Sequence, residues 1–256
     1  MRSGAPMAES LKVAGASAVT LALLLLLWIG AIDAFALSEQ VLPPPSAVLV
    51  ALSDGWIGGS FWPHIAFTMQ GSLGGLVIGI AIGLIAGVIV AEWRIARLIF
   101  YPIVIGIQSM PTIAIAPLII VYFGVGLPSK LVTVALLCCF PVFVNTVAGL
   151  MSADSKLLDL YRAASATRWR TLIDIKLPSA AEHILASLQI ALVLSFIGCV
   201  VSEFIASRAG LGHLIKIYST DLNVAVMFAA IVTLAVIGGG LGYLITLARR
   251  KVVFWR

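Results

Sequence analysis

An all-α, polytopic membrane protein with about six transmembrane helices is the fold class this sequence predicts, and three observations carry it. Only 11% of its 256 residues are charged, against about 25% in soluble domains. Hydrophobic residues make up 61% and mean hydropathy is +1.13, so the chain cannot coat a water-facing surface and the bilayer must serve as its solvent. The apolar residues gather into six runs, about 13–35, 62–91, 97–123, 130–151, 182–206 and 223–248. Backbone groups in lipid must pair internally, so such runs are helices. Basic residues orient them. With the N-terminus inside, thirteen Lys and Arg fall on cytoplasmic segments and three (Lys130, Arg208, Lys216) on outer ones. The opposite orientation inverts this positive-inside bias. Both termini are therefore expected in the cytoplasm.

The first run follows Arg2 and Lys12 and ends near Ala34-Phe35-Ala36, the outline of a cleavable signal. Its apolar part runs to about 20 residues, beyond the usual 7–15 of such a signal, and a retained helix is expected. Residues 1–41 are thus read as tail and first span, and 42–256 as the main transmembrane domain. Residues 37–61 carry Pro43, Pro44 and Pro45, then an amphipathic stretch ending in Gly58-Gly59, expected as a connector with a short helix at the outer surface.

The second run places glycine at 71, 75, 79, 83 and 87, every fourth residue. On a helix this makes a ridge without side chains that lets another backbone come close. It serves either as a packing seam within one bundle or as a sliding or dimer surface. The third run holds Pro102, Pro111 and Pro117. Proline removes an intrahelical hydrogen bond, and broken helices at membrane depth line cavities or are buried in protein. Gln108, Ser109, Met110, Pro111 and Thr112 are therefore candidates for pathway lining, with a kink that only shapes packing as the other reading. Asn145 in the fourth run joins them.

Glu203 is the one acidic residue deep in a predicted span, near its outer end. A carboxylate there needs a partner or water, which makes it a structural or gating candidate. His64, His183 and His213 stand apart near span ends and read as interfacial residues. Cys138, Cys139 and Cys199 lie inside apolar runs and read as small buried hydrophobes, forming neither a metal site nor a disulfide framework.

Enzyme signatures are absent: there is no H-E-x-x-H and no G-x-S-x-G. The stretch GVGLPSK, from Gly124 to Lys130, has the outline of a phosphate loop, but Ser129 replaces its second glycine and it lies outside, away from ATP. No catalytic residue, cofactor or metal is assigned to this chain. The net charge of +5 does not indicate nucleic acid, because the basic residues form short clusters with no aromatic interleaving.

The largest cytoplasmic connection, about 152–180, is the most polar stretch of the chain. Ser152 or Asp154 can cap a short helix expected to run to about Thr167, with Arg168 and Arg170 complementing its C-terminal dipole. Ala163, Ala164, Ser165 and Ala166 keep one part thin, suited to a groove on a partner; a plain solvated loop is the other reading.

Importer permeases of the ATP-binding-cassette superfamily carry here a loop of the form E-A-A, three residues, G, nine residues, I-x-L-P. This chain resembles it with Asp159-Leu160-Tyr161, three residues, Ser165, nine residues, then Ile175-Lys176-Leu177-Pro178. The spacing is kept while four letters differ. PTIAIAPL from Pro111, YFGVG from Tyr122, Ser129-Lys130, Phe140-Pro141, Asn145-Thr146, VVSEF from Val200 and Gly210-Leu211-Gly212 are similar, in order, to the nitrate/sulfonate/taurine-type permease family. The resemblance runs from about Leu42 to the C-terminus. It implies a bacterial inner-membrane permease that works by alternating access as a homodimer. It also implies two cytoplasmic ATPase subunits that hold ATP and magnesium, and an extracytoplasmic solute-binding protein. It places a coupling helix around Asp159 to Trp169, with Arg162, Ala163, Ala164, Ser165, Thr167, Arg168, Ile175, Leu177 and Pro178 in the ATPase-coupling loop.

Solute identity is weakly encoded. Lys130, Arg208 and Lys216 could draw anions to the outer mouth. The stretches around Gln108 and from Ile197 to Glu203 look closer to the branch moving heterocycles such as thiamine precursors and riboflavin. The competing class is an ion-coupled secondary transporter or channel working without an ATPase, and the scarcity of intramembrane charge argues against proton coupling.

Overall fold

The computed structural model describes residues 5–108 and 112–252. These residues form α1 (Ala5–Phe35), α2 (Pro45–Ile57), α3 (Trp62–Glu92), α4 (Arg94–Gln108), α5 (Ala116–Phe123) and α6 (Leu127–Met151). After them come α7 (Ser155–Ala163), α8 (Arg168–Thr171), α9 (Leu177–Ala206), α10 (Leu211–Thr220) and α11 (Val224–Val252). No strand occurs among the described residues. Four helical stretches among them are long and apolar enough to cross a bilayer: Trp62–Glu92, Leu127–Met151, Arg168–Ala206 and Val224–Leu247. Val19–Phe35 and Pro45–Ile57 are shorter apolar stretches.

The centre is a trio in which α3 and α6 run parallel and α9 runs antiparallel to both. The glycine ridge of α3 is the seam between α3 and α6. A Cβ at Gly79 would lie 2.7 Å from both the Ala135 carbonyl oxygen and Cys138 Cβ, and one at Gly83 would lie 2.7 Å from the Cys139 carbonyl. Farther inward, Gly87 meets Thr146 and Phe143. The ridge is thus filled from within the same chain, which is the packing reading rather than the dimer-surface one. Leu76, Val134, Cys138, Val142, Ala191 and Leu192 close the core around it. Such close approach replaces the hydrophobic drive that lipid removes.

Two expected elements differ from the sequence reading. The third run is not one continuous helix. It is α4 and α5, separated by residues 109–111 and a 3₁₀ turn, Thr112–Ile115. Pro117 stands in the first turn of α5, where its missing N–H would be unpaired in any case, so a new helix starts there. The cytoplasmic helix stops at Ala163 rather than near Thr167. Ser165 adopts φ +53°, a left-handed conformation that ends a helix. Thr167 then caps a fresh helix by accepting from the Arg170 N–H, so Arg168 and Arg170 open α8 instead of closing α7.

From Arg168 the chain stays helical to Ala206. Pro178 cannot donate a hydrogen bond, and a π-turn at Leu172–Lys176, with the Leu177 N–H reaching back to the Leu172 carbonyl, absorbs the lost bond. The fifth span therefore begins in the cytoplasmic loop itself, earlier than position 182.

At the outer end, the expected surface helix is α2. Its Trp56 indole donates to Thr233 on α11 at 3.1 Å. Phe61, Leu211, Leu214 and Ala229 form the core joining α3, α10 and α11 beside it. On the periphery, Trp28 of α1 lies 5.4 Å from the Phe228 ring of α11.

Candidate functional site

Two constellations stand out, one at each end of the bundle. The outer one centres on Glu203. Lys130 Nζ lies 2.7 Å from its Oε1, and the side chains are 1% and 0% exposed. Thr68 donates to the same carboxylate at 2.9 Å and accepts from the Leu211 N–H at 2.8 Å. The Gly212 N–H donates to Oε2 at 2.7 Å. Lys130 also sits 3.5 Å over the Phe67 ring. One carboxylate thus ties α3, α6, α9 and the start of α10 together. Gly210 holds φ +112°, and a Cβ there would collide with the Glu203 carboxylate, so glycine is required twice over, for conformation and for space.

Glu203 therefore has the partner that its depth demands, and it does not face open space. Lys130, expected at the outer mouth, is sealed inside and unavailable to a solute; Arg208 and Lys216 remain exposed. His64 and His213, separate in sequence, stack with ring centroids 6.5 Å apart. His64 Nδ1 accepts from the Gly210 N–H at 3.1 Å. Burial first, then His64 and Lys216, hold the His213 imidazole below its usual range. Sequence reading missed this cluster, although one signal was present: Lys130 and Glu203 stand at matching depth near the outer ends of two spans.

The pathway candidates are less gathered. Gln108 is exposed at the end of α4. Ser109, Met110 and Pro111 lie outside the described residues, and Thr112 opens the 3₁₀ turn. Asn145 donates from its side chain to the Pro141 carbonyl at 2.8 Å, within its own helix.

The cytoplasmic constellation is α7 and the turn after it. Asp154 accepts from the Lys156 N–H and caps α7. Asp159 and Arg162 pair at 2.8 Å, both exposed. On the same short helix Leu157 and Leu160 are 46% and 61% exposed, an apolar patch at i, i+3 on an otherwise polar element. Ala163, Ala164 and Ser165 are exposed. With Tyr161, Thr167 and Arg170, Ala164 and Ser165 border a hollow of about 320 Å³. Tyr161 donates to Asp174 Oδ2 at 3.5 Å and Arg170 Nε approaches the same oxygen at 3.4 Å, fastening α7 to the rod that begins at Arg168. Ile175 is buried, while Leu177 and Pro178 carry the chain into α9. Among the described residues no group of three or more His, Cys, Asp or Glu side chains could hold a metal ion.

This geometry has counterparts. Residues 79–253 match the profile of the family described as binding-protein-dependent transport system inner membrane component. The riboflavin transport system permease protein of Chloroflexus aurantiacus is 34% identical over 237 residues, covering 93% of this chain and 88% of that one. The formylaminopyrimidine transport permease protein of Halalkalibacterium halodurans is 29% identical, covering 86% and 88%. The taurine transport system permease protein of Escherichia coli is 28% identical, covering 92% and 88%. In fold, the chain is similar to one from an inward-facing methionine ATP-binding-cassette transporter, with TM-score 0.57 and 24% identity over 75% of this chain and 92% of that one. An amino acid transporter of the same superfamily gives TM-score 0.61 at 19% identity, over 78% and 97%.

Proposed function

Since the chain belongs to the binding-protein-dependent transport system inner membrane components, and is a membrane-spanning permease subunit of an ATP-binding-cassette importer, we propose that it works as a homodimer. Two cytoplasmic ATPase subunits, which carry ATP and magnesium, would drive it, and an extracytoplasmic binding protein would feed it. The carrying observation is α7: a short, capped helix that exposes Leu157 and Leu160 to the cytoplasm while Tyr161 anchors it to the rod 168–206. Exposed apolar residues on a polar element mark a protein contact. In this reading α7 is the coupling helix of the degenerate E-A-A loop, and Asp159, Arg162, Ala163, Ala164, Ser165 and Thr167 surround the ATPase contact, with Arg168 and Trp169 following it in the same loop. ATP draws the ATPase subunits together, α7 moves with them, and the bundle shifts between inward-open and outward-open packings. The chain supplies a pathway and its gating, with no covalent chemistry.

For the solute, we favour a small heterocycle over a sulfonate. The permeases of riboflavin and formylaminopyrimidine transport are among the chain's relatives. Lys130, the cation set within a spanning helix near the outer end, is consumed by Glu203, which leaves it no charge to offer a sulfonate.

The test is a pull-down from native membranes in mild detergent, followed by proteoliposome uptake with the recovered ATPase and binding protein. Charge reversal D159K, or A163W, is expected to leave assembly of the bundle intact while uncoupling ATP hydrolysis from uptake. Recovery of the chain with no ATPase under several detergents, with uptake surviving ATP depletion, would instead favour an ion-coupled carrier. Labelled riboflavin and formylaminopyrimidine, run against taurine, decide the solute class.

A further inference from the structure

A groove opens where the last turn of α3 meets α8. Its floor is apolar: Val88 and Ile89 from α3 and Leu172 from the π-turn. Two tryptophans stand at its rim, Trp93 (58% exposed) and Trp169 (70% exposed). The volume is about 260 Å³. Because one wall ends a spanning helix and the other begins one, the groove sits at the membrane–cytoplasm boundary, the level that tryptophan rings prefer.

Its charge is specific. Glu92, inside the groove, is matched by Lys176 at 2.6 Å. In the adjoining loop Arg162 is paired with Asp159 and Arg170 with Asp174. Arg168, also lining the groove, has no acidic partner among the described residues. Arg94 is exposed immediately beside Trp93. The site therefore offers an apolar trough, an interfacial aromatic pair and an uncompensated guanidinium at one end.

We infer that this groove holds an anionic phospholipid of the inner leaflet, its acyl chain along Val88, Ile89 and Leu172 and its phosphate on Arg168. A planar guanidinium with free donors matches phosphate oxygens. A basic side chain near an anionic leaflet enriches such lipid about fivefold. The aliphatic floor accepts a chain that a soluble anion lacks. The hollow at Tyr161 and Ser165 shares no lining residue with this groove and remains open to a protein partner.

The test uses the intact chain in phosphatidylcholine nanodiscs containing a minor fraction of brominated phosphatidylglycerol or, in parallel, brominated phosphatidylcholine. Bromine quenches tryptophan fluorescence on contact. Stronger quenching by the brominated phosphatidylglycerol is expected. That excess should vanish in R168Q and in W93F/W169F, persist in R168K, and be untouched by K216Q on the outer side. Equal quenching by the two lipids, or an excess that survives R168Q, overturns the assignment. If R168Q leaves quenching unchanged but abolishes capture of the ATPase, the groove belongs to that protein and the lipid reading fails. Should R168Q not fold, the W93F/W169F comparison still decides.

Discussion

Lys130 and Glu203, 73 positions apart, meet at 2.7 Å with neither side chain exposed to solvent. Removing one partner of a buried pair strands the other charge and costs about 3–5 kcal/mol, whereas replacing both with apolar groups is often near neutral. K130M and E203L are each expected to lower the thermal stability of the purified chain steeply. The double variant should recover most of it. Melting of all three in one detergent checks the pairing; additive losses in the double variant would contradict it.

Gly210 is the second point of leverage on the same node. Alanine there meets both a left-handed backbone and the Glu203 carboxylate. G210A should release the start of α10, costing about 1–3 kcal/mol. Hydrogen exchange at Leu211 and Gly212 should rise while exchange along α6 stays slow. Unchanged protection across 210–214 would show that the turn has an alternative path.

Ser165 holds φ +53° where the family loop has glycine. A non-glycine residue there carries about 1–2 kcal/mol of steric cost. S165G is expected to relieve that cost and keep ATPase coupling. S165V, branched at Cβ, should destabilise the turn and weaken coupling. Thermal melting alongside binding-protein-stimulated ATPase activity separates the two effects.

His213 gives a pH signature. Its folded-state value lies below the ordinary histidine value of about 6.5. The unfolded chain therefore binds the proton more readily, and stability falls as pH drops through that value, levelling off below the folded one. His64 on α3, Lys216 on α10, Glu203 on α9 and Lys130 on α6 all act on it. Melting temperature measured between neutral and mildly acidic pH should slope downward, and H213N should flatten the slope. A wild-type profile as flat as that of H213N would remove His213 as the cause.

The parts legible in the sequence were those written in local periodicity and flanking charge. The five-glycine ridge declared a helix and a close contact, and the structure supplied its occupant, α6. Capping chemistry offered Ser152 or Asp154 as the start of the cytoplasmic helix, and Asp154 is the one that caps α7. Its end was hidden because serine seldom terminates a helix in a left-handed turn, so residue type at Ser165 gave no warning. The split of the third run was half visible, as prolines, but hydropathy merged α4 and α5. The outer node was invisible to periodicity. Thr68 and Glu203 are 135 positions apart, and only three-dimensional packing brings them to one carboxylate.

The helical stretch 168–206 contains 39 residues, a length of about 58 Å at helical rise. Asp174, near its inner tip, grips Tyr161 of α7, and Glu203, near its outer tip, grips Lys130. The two ends are therefore parts of a single lever. Pivoting it by about 5° about one tip sweeps the other by about 5 Å, nearly a full helical turn. In the proposed assembly, a displacement imposed on α7 by an ATPase would thus reach the outer end of the bundle without a relay of separate side-chain rearrangements.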